Sequence, residues 1–212
     1  MKINAFIPAR MKSSRFPGKP LIKLNGKSMI EHVWTRTKLC KELNEVFIAT
    51  CDEEIKEESN KFGAKVIMTS KNHEMCMSRI AEAASKEPSD ITVTVQGDEP
   101  LIKPEMISQT ISNLKKNEKL FATTLAQKII KQSEITDPNR VKIIWDNNNE
   151  VIYISRESIP SAQKTKNHID YYKMVCVYTM SHESLKNYEK FGESKLEMLE
   201  SIDMLRIIEN NK

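Results

Sequence analysis

The chain has 212 residues, with 33 Lys+Arg against 29 Asp+Glu and a formal net charge of +4. That length suits a single globular domain, and 39% hydrophobic content is enough to bury a core. The mild basic excess shows no cluster of the kind a nucleic-acid binder carries, and no apolar run approaches the ~18 residues of a membrane span.

Residues 1–6 run straight into an apolar strand without a signal-peptide pattern, so a cytoplasmic location is expected. Glycine occurs only 5 times, and both the Walker loop and GxGxxG are absent. Phosphates would therefore have to be met by side chains. The four cysteines, at 40, 51, 76 and 176, form no CxxC pair. The four histidines, at 32, 73, 168 and 182, show no metal-ligand spacing.

In chain order, residues 2–7 (KINAFI) read as the first strand. Directly after it comes IPARMKSSRFPGKPL, residues 7–21. In an α/β sheet, ligands bind beyond the carboxyl ends of the strands. Here Arg10, Lys12, Arg15 and Lys19 stand at that place beside the hydroxyls of Ser13 and Ser14. Arginine forks and lysine point charges suit a triphosphate, and Pro8, Pro17 and Pro20 stiffen the loop.

Helix-like stretches at 29–40, 52–62 and 78–86 alternate with strands at 45–50, 64–68 and 91–95. Asp52, Glu53 and Glu54 give the second helix a favourable first turn. This order predicts a mostly parallel nucleotide-binding α/β sheet flanked by helices. The strand at 91–95 leads into Gln96-Gly97-Asp98-Glu99-Pro100. A lone carboxylate after a strand suits Mg²⁺, and Gln96 suits a substrate hydroxyl or carboxylate. A further helix is predicted from Pro104 to 114.

Beyond residue 120, β-rich runs at 121–126, 141–145, 151–154 and 171–178, with a turn signal at 146–149, predict an antiparallel β extension in the second half. Residues 161–167 are polar, and 194–210 read as one closing helix.

These segments together resemble the 3-deoxy-manno-octulosonate (Kdo) cytidylyltransferases. The likeness rests on residues 7–21, GKSMIEHVW (26–34), VFIATCDEEI (46–55), RIAEA (79–83), VTVQGDEPLI (93–102), DPNRVKII (137–144), YISRESIP (153–160) and LEMLESIDMLRIIEN (196–210). The resemblance implies one nucleotidyltransferase domain over 1–212. Its CTP-binding core would be 1–120, and its sugar-binding and dimerisation part 121–212. It implies CTP as donor, Mg²⁺, a homodimer, and attack by the anomeric hydroxyl of an acidic sugar on the α-phosphorus for lipopolysaccharide assembly. By motif match Ala9, Arg10, Ser13, Arg15, Lys19 and Arg79 would grip CTP, with Arg10, Lys19 and Asp98 as the catalytic set. Asp98 would hold the metal, and Gln96, Arg156 and Glu197 would meet the sugar. Six of the seven arginines, all but Arg36, lie in matched segments, against 26 lysines spread along the chain.

Three departures bear on specificity. The family's S-G-T-D-R is Met75-Cys76-Met77-Ser78-Arg79 here. Met174 stands where the family has a sugar-contacting His, and His168, six residues upstream, is not expected to be its equivalent. The family's second metal-binding Asp follows the last helix and falls outside these 212 residues; within them Asp203 and Glu209 are weak candidates for such a carboxylate. Alternatives are therefore transfer to another acidic sugar, such as 8-amino-Kdo or a capsular sugar acid, or a degenerate nucleotide-binding homologue without turnover.

Overall fold

All six residues of β1 (Ile3–Pro8) are buried. An apolar strand with no exposed face belongs at the centre of a parallel sheet, and β1 lies there. Described are residues 1–12, 16–165 and 168–212 of a computed structural model. After β1 come β2 (Lys23–Leu24), β3 (Lys27–Ser28), α1 (Met29–Lys38), β4 (Glu45–Thr50), α2 (Glu53–Lys61), β5 (Lys65–Met68), α3 (Cys76–Lys86), β6 (Ile91–Val95) and α4 (Pro104–Lys116). The second half adds β7 (Ala122–Lys128), α5 (Gln132–Ile135), β8 (Lys142–Trp145), β9 (Val151–Ser155), β10 (Tyr172–Ser181), α6 (His182–Lys190), α7 (Lys195–Glu200) and α8 (Leu205–Glu209).

The chain divides into two compact units. The first comprises Met1–Thr123 and Cys176–Glu189. Its strands run β5-β4-β1-β6, all parallel, and Val177 to Ser181 of β10 pair antiparallel with β6. Both α1 and α3 pack on β1 and β4. Their apolar stripes, Ile30 and Val33 on α1 and Met77, Ile80 and Ala84 on α3, are buried. The hairpin of β2 and β3 forms a separate small sheet. The second unit comprises Thr124–Val175 and Lys190–Lys212. In it β8 and β9 form an antiparallel hairpin, and Lys173 of β10 pairs with Lys142 of β8. The mixed sheet, mostly parallel and flanked by helices, with antiparallel strands added, is the class the sequence predicts.

The elements depart from expectation in several places, among them the short β2–β3 hairpin and α5, which the sequence analysis does not predict. The closing helix expected over 194–210 is two helices, because Ser201 adopts a left-handed φ of 52° that ends α7. The α3 helix starts at Cys76, two residues early. No helix was foreseen at 182–190, since α6 follows β10 without a gap; the signal was Ser181, whose hydroxyl accepts the Ser184 amide at 3.0 Å as a cap.

Gly97 sets how closely the two functional loops approach. A Cβ built there would lie 2.6 Å from the Pro8 carbonyl oxygen. No side chain fits, so the loop after β6 can press against the end of β1. Gly97→Ala is expected to cost roughly 1–3 kcal/mol through forced backbone displacement. Urea unfolding measures this, and an unchanged midpoint would show that the contact is not a constraint.

Candidate active site

The carboxyl ends of β1 and β6 are neighbours because the strands pair in parallel, Phe6 opposite Thr94. The loops that leave them therefore emerge on one edge of the first unit. Lys19 from the loop after β1 donates to Asp98 Oδ2 at 2.6 Å. Both groups are open to water, with side chains 38% and 48% exposed. An ion pair this exposed adds little stability, so phosphate or metal can replace either partner at small cost.

The loop is fixed from several sides. Asp52, at the start of α2, accepts the Met11 amide at 2.7 Å. The Gly18 amide reaches back to the Met11 carbonyl at 3.0 Å, and Gly18 has the left-handed φ of 75° this return requires. Ala9 is buried and its amide bonds to the Ala49 carbonyl at 3.0 Å. Arg10 is exposed, with Nη1 donating to the Glu74 carbonyl at 2.9 Å. Ser13 and Arg15 lie outside the described residues.

Gln96 is half-buried at the end of β6. Its backbone amide bonds to the Cys176 carbonyl at 3.1 Å, and its side-chain amide donates to Cys76 Sγ at 2.7 Å. Met77 is buried on α3, with the Thr94 hydroxyl 3.7 Å from its sulfur. It fills core space. Arg79 is also buried, and its Nη1 donates to the Thr69 hydroxyl and the Ser70 carbonyl. Arg79 therefore braces the segment leading into α3.

Glu82 closes the same segment, a role the sequence did not suggest. It accepts the Ser70 amide at 2.9 Å, Lys86 at 2.7 Å and His73 at 2.5 Å. Partial burial raises its carboxyl, but the bonds from Lys86, the Ser70 amide and His73 outweigh this and hold it at about 2, below an ordinary 4.5.

In the second unit, Arg156 follows β9 and is half-buried. Its Nε donates to the Glu200 carbonyl at 2.6 Å, Nη1 to Pro138 at 2.9 Å and Nη2 to Ser201 at 3.0 Å. Two of these carbonyls end α7, where cationic donors are favoured. A guanidinium has five donors, so two N–H groups have no partner among the described residues. Glu197 is fully buried, and its two oxygens take Arg206 Nε and Nη2, each at 2.7 Å. Arg156 and Glu197 share none of these bonds. Met174 is buried in β10, and His168 is exposed and pairs with Asp170 at 3.0 Å. Glu209 Oε2 accepts the Leu196 amide at 2.9 Å, which caps α7.

A family model described as cytidylyltransferase matches residues 4–212. The chain belongs to the cytidylyltransferase family. Similar relatives include the 3-deoxy-manno-octulosonate cytidylyltransferase of Fusobacterium nucleatum, 42% identical over 99% of this chain and 85% of the relative. An 8-amino-3,8-dideoxy-manno-octulosonate cytidylyltransferase of Shewanella pealeana is 38% identical over 99% of this chain and 86% of its own. The solved structure of CMP:2-keto-3-deoxy-manno-octonic acid synthetase complexed with CTP superposes with a TM-score of 0.90 at 34% identity, covering 100% of this chain and 87% of that one. This cytidylyltransferase is accordingly a CTP-dependent nucleotidyltransferase.

Cytidylyltransferases of this kind are generally metal-dependent. Among the described residues no three His, Cys, Asp or Glu groups gather into a cage. A small divalent ion that keeps its waters and leans on substrate phosphates needs only one or two carboxylates. Asp98, half-exposed at a strand end, fits that demand. Among the described residues no helix is long and apolar enough to cross a membrane.

The depressed Glu82 carboxyl has a measurable consequence. Its stabilisation is complete above its unfolded value near 4.5 and is lost as pH falls from there towards about 2. Glu82→Gln should therefore melt below the wild type at pH 7, with the difference shrinking towards pH 3. Glu58, also held at about 2, by Lys23 and Lys61, titrates in both proteins and cancels. A melting difference that stays constant across this range would remove Glu82 as an acid-labile brace.

Proposed function

We propose that this cytidylyltransferase transfers CMP from CTP to the anomeric hydroxyl of 3-deoxy-manno-octulosonate and releases pyrophosphate. The observation that carries the proposal is the Lys19–Asp98 contact, a loop cation against a strand-end carboxylate on one edge of a parallel sheet. Such an edge is where this class of fold binds ligands. The sugar follows from the names of the relatives, with Kdo enzymes at up to 43% identity.

In this reading Lys19 and Arg10 meet the phosphates, joined by Ser13 and Arg15, and Ala9 lines the nucleotide. Asp98 holds Mg²⁺, which screens the phosphate charge when bound. Arg79 supports the nucleotide side through the segment at 69–70. By the resemblance Gln96 is assigned to a sugar hydroxyl and Arg156 to the sugar carboxylate. Glu197 contributes by holding α7, whose last carbonyls receive Arg156. Little covalent work falls to the protein; it orients the hydroxyl in line with the α-phosphorus and offsets the charge that develops. The proposal extends to residues 1–120 as the CTP part and 121–212 as the sugar and dimerisation part of one domain. It includes a homodimer, a cytoplasmic location and a role in lipopolysaccharide assembly, as the resemblance implies. A second reading, transfer to 8-amino-Kdo, is favoured by relatives of that name at 38% identity.

Pyrophosphate release with CTP and Mg²⁺ is the test, run against Kdo, 8-amino-Kdo and other sugar acids. Turnover with Kdo is expected. Turnover with 8-amino-Kdo alone would move the assignment to the second reading, and no release with any sugar would overturn both. Asp98→Asn should stay folded and lose about a hundredfold or more in metal-dependent turnover.

A further inference from the structure

Lys142 is the one fully buried lysine among the described residues. It sits on β8, in the apolar run Val141-Lys142-Ile143-Ile144, and none of the roles above uses it. An ammonium is costly to bury unless its donors are matched. Its acceptors here are two backbone carbonyls, Arg156 at 2.5 Å and Asp137 at 2.9 Å.

Those carbonyls define one place. The first belongs to Arg156 itself. The second precedes Pro138, whose own carbonyl receives Arg156 Nη1 at 2.9 Å. Lys142 thus grips both the backbone that carries the guanidinium and the loop on which the guanidinium rests. Glu200 completes the hold, accepting the Arg156 amide at 2.9 Å and the Ser155 hydroxyl at 2.7 Å. Residue 156 is fixed at its N–H by a carboxylate, at its C=O by an ammonium, and at its side chain by three carbonyls. Burial pushes the Lys142 ammonium below the usual lysine range, and Asp137, Glu157 and Glu200 work against this.

An apolar side chain of the same length would fill the space but leave the Arg156 and Asp137 carbonyls without this donor. A lysine bonded to these two carbonyls has a more specific use.

We propose that Lys142 is a positioning residue: it holds the Arg156 backbone and the 137–138 loop so that the spare N–H groups of Arg156 meet the carboxylate of the acidic sugar. The inference rests on reading Arg156 as the sugar-carboxylate contact. It adds a determinant of sugar affinity that makes no contact with the sugar.

The test compares Lys142→Met, Arg156→Ala and the double variant, assayed at saturating CTP with Kdo varied and then with CTP varied. Lys142→Met is expected to raise the Kdo KM about tenfold, the worth of a lost hydrogen bond to a charged group, and to leave the CTP KM within about twofold. Arg156→Ala should raise the Kdo KM further, and the double variant should do no worse than Arg156→Ala alone, because both act through one group. If Arg156→Ala raises the Kdo KM and Lys142→Met does not, the positioning role is wrong and the Arg156 contact stands. An unchanged Kdo KM in Arg156→Ala removes the contact reading and this inference with it. Equal losses towards both substrates in Lys142→Met would mark a merely structural lysine. Should Lys142→Met fail to fold, Lys142→Gln is judged on the same terms, and a full-affinity Gln variant would overturn the proposal.

Discussion

The Pro8 carbonyl occupies the space where a side chain at position 97 would be. This exclusion governs the edge of the first unit. Parallel pairing of β1 and β6 brings two strand ends together, but pairing alone leaves room for the loops to diverge. With glycine at 97 the loop after β6 lies against the end of β1. Asp98 then meets Lys19, which the return from Gly18 to Met11 has brought back over the strand end. The backbone approach places Asp98, the left-handed turn places Lys19, and the ion pair needs both.

Charges in the molecule fall into two groups that differ in what water does to them. Lys19, Asp98 and Arg10 are exposed, so their mutual attractions are weak and exchangeable. Lys142, Glu197, Arg206 and Arg79 are buried. Removing one partner from a buried pair such as Glu197–Arg206 costs about 3–5 kcal/mol, because the other charge is left without compensation. In the proposed chemistry the first group meets ligands. The second, with half-buried Glu82 and Glu200, holds the frame. Arg156 stands between them: three donors are committed to carbonyls and two remain.

Much of the parallel half was legible in the sequence because strand periodicity, helix first turns and strand-end loops are local signals. Lys19 and Asp98 both stand out in the sequence, one in its basic loop and one as a carboxylate after an apolar strand. The bracing residues do not. Glu82 reads as an ordinary helix surface charge, and its partners Ser70 and His73 are distant in sequence. Asp52 was read as a helix-start residue, and its bond to Met11 depends on the pairing of β1 with β4. Lys142 did leave a trace, a lone charge in an apolar strand, and burial gave that trace its meaning. The closing helix was misjudged for a local reason: nothing in the pattern of 194–210 announces that Ser201 turns left-handed.

The central claim is that Lys19 and Asp98 form the phosphate and metal end of the CTP site. Titration calorimetry of CTP, with and without Mg²⁺, on the wild type, Lys19→Gln and Asp98→Asn tests it most directly. Lys19→Gln is expected to weaken CTP binding in both conditions, by about tenfold as for a lost charged hydrogen bond. Asp98→Asn is expected to remove only the part of the affinity that Mg²⁺ adds. Full Mg²⁺-dependent CTP affinity in Asp98→Asn, or unchanged CTP affinity in Lys19→Gln, would contradict the claim.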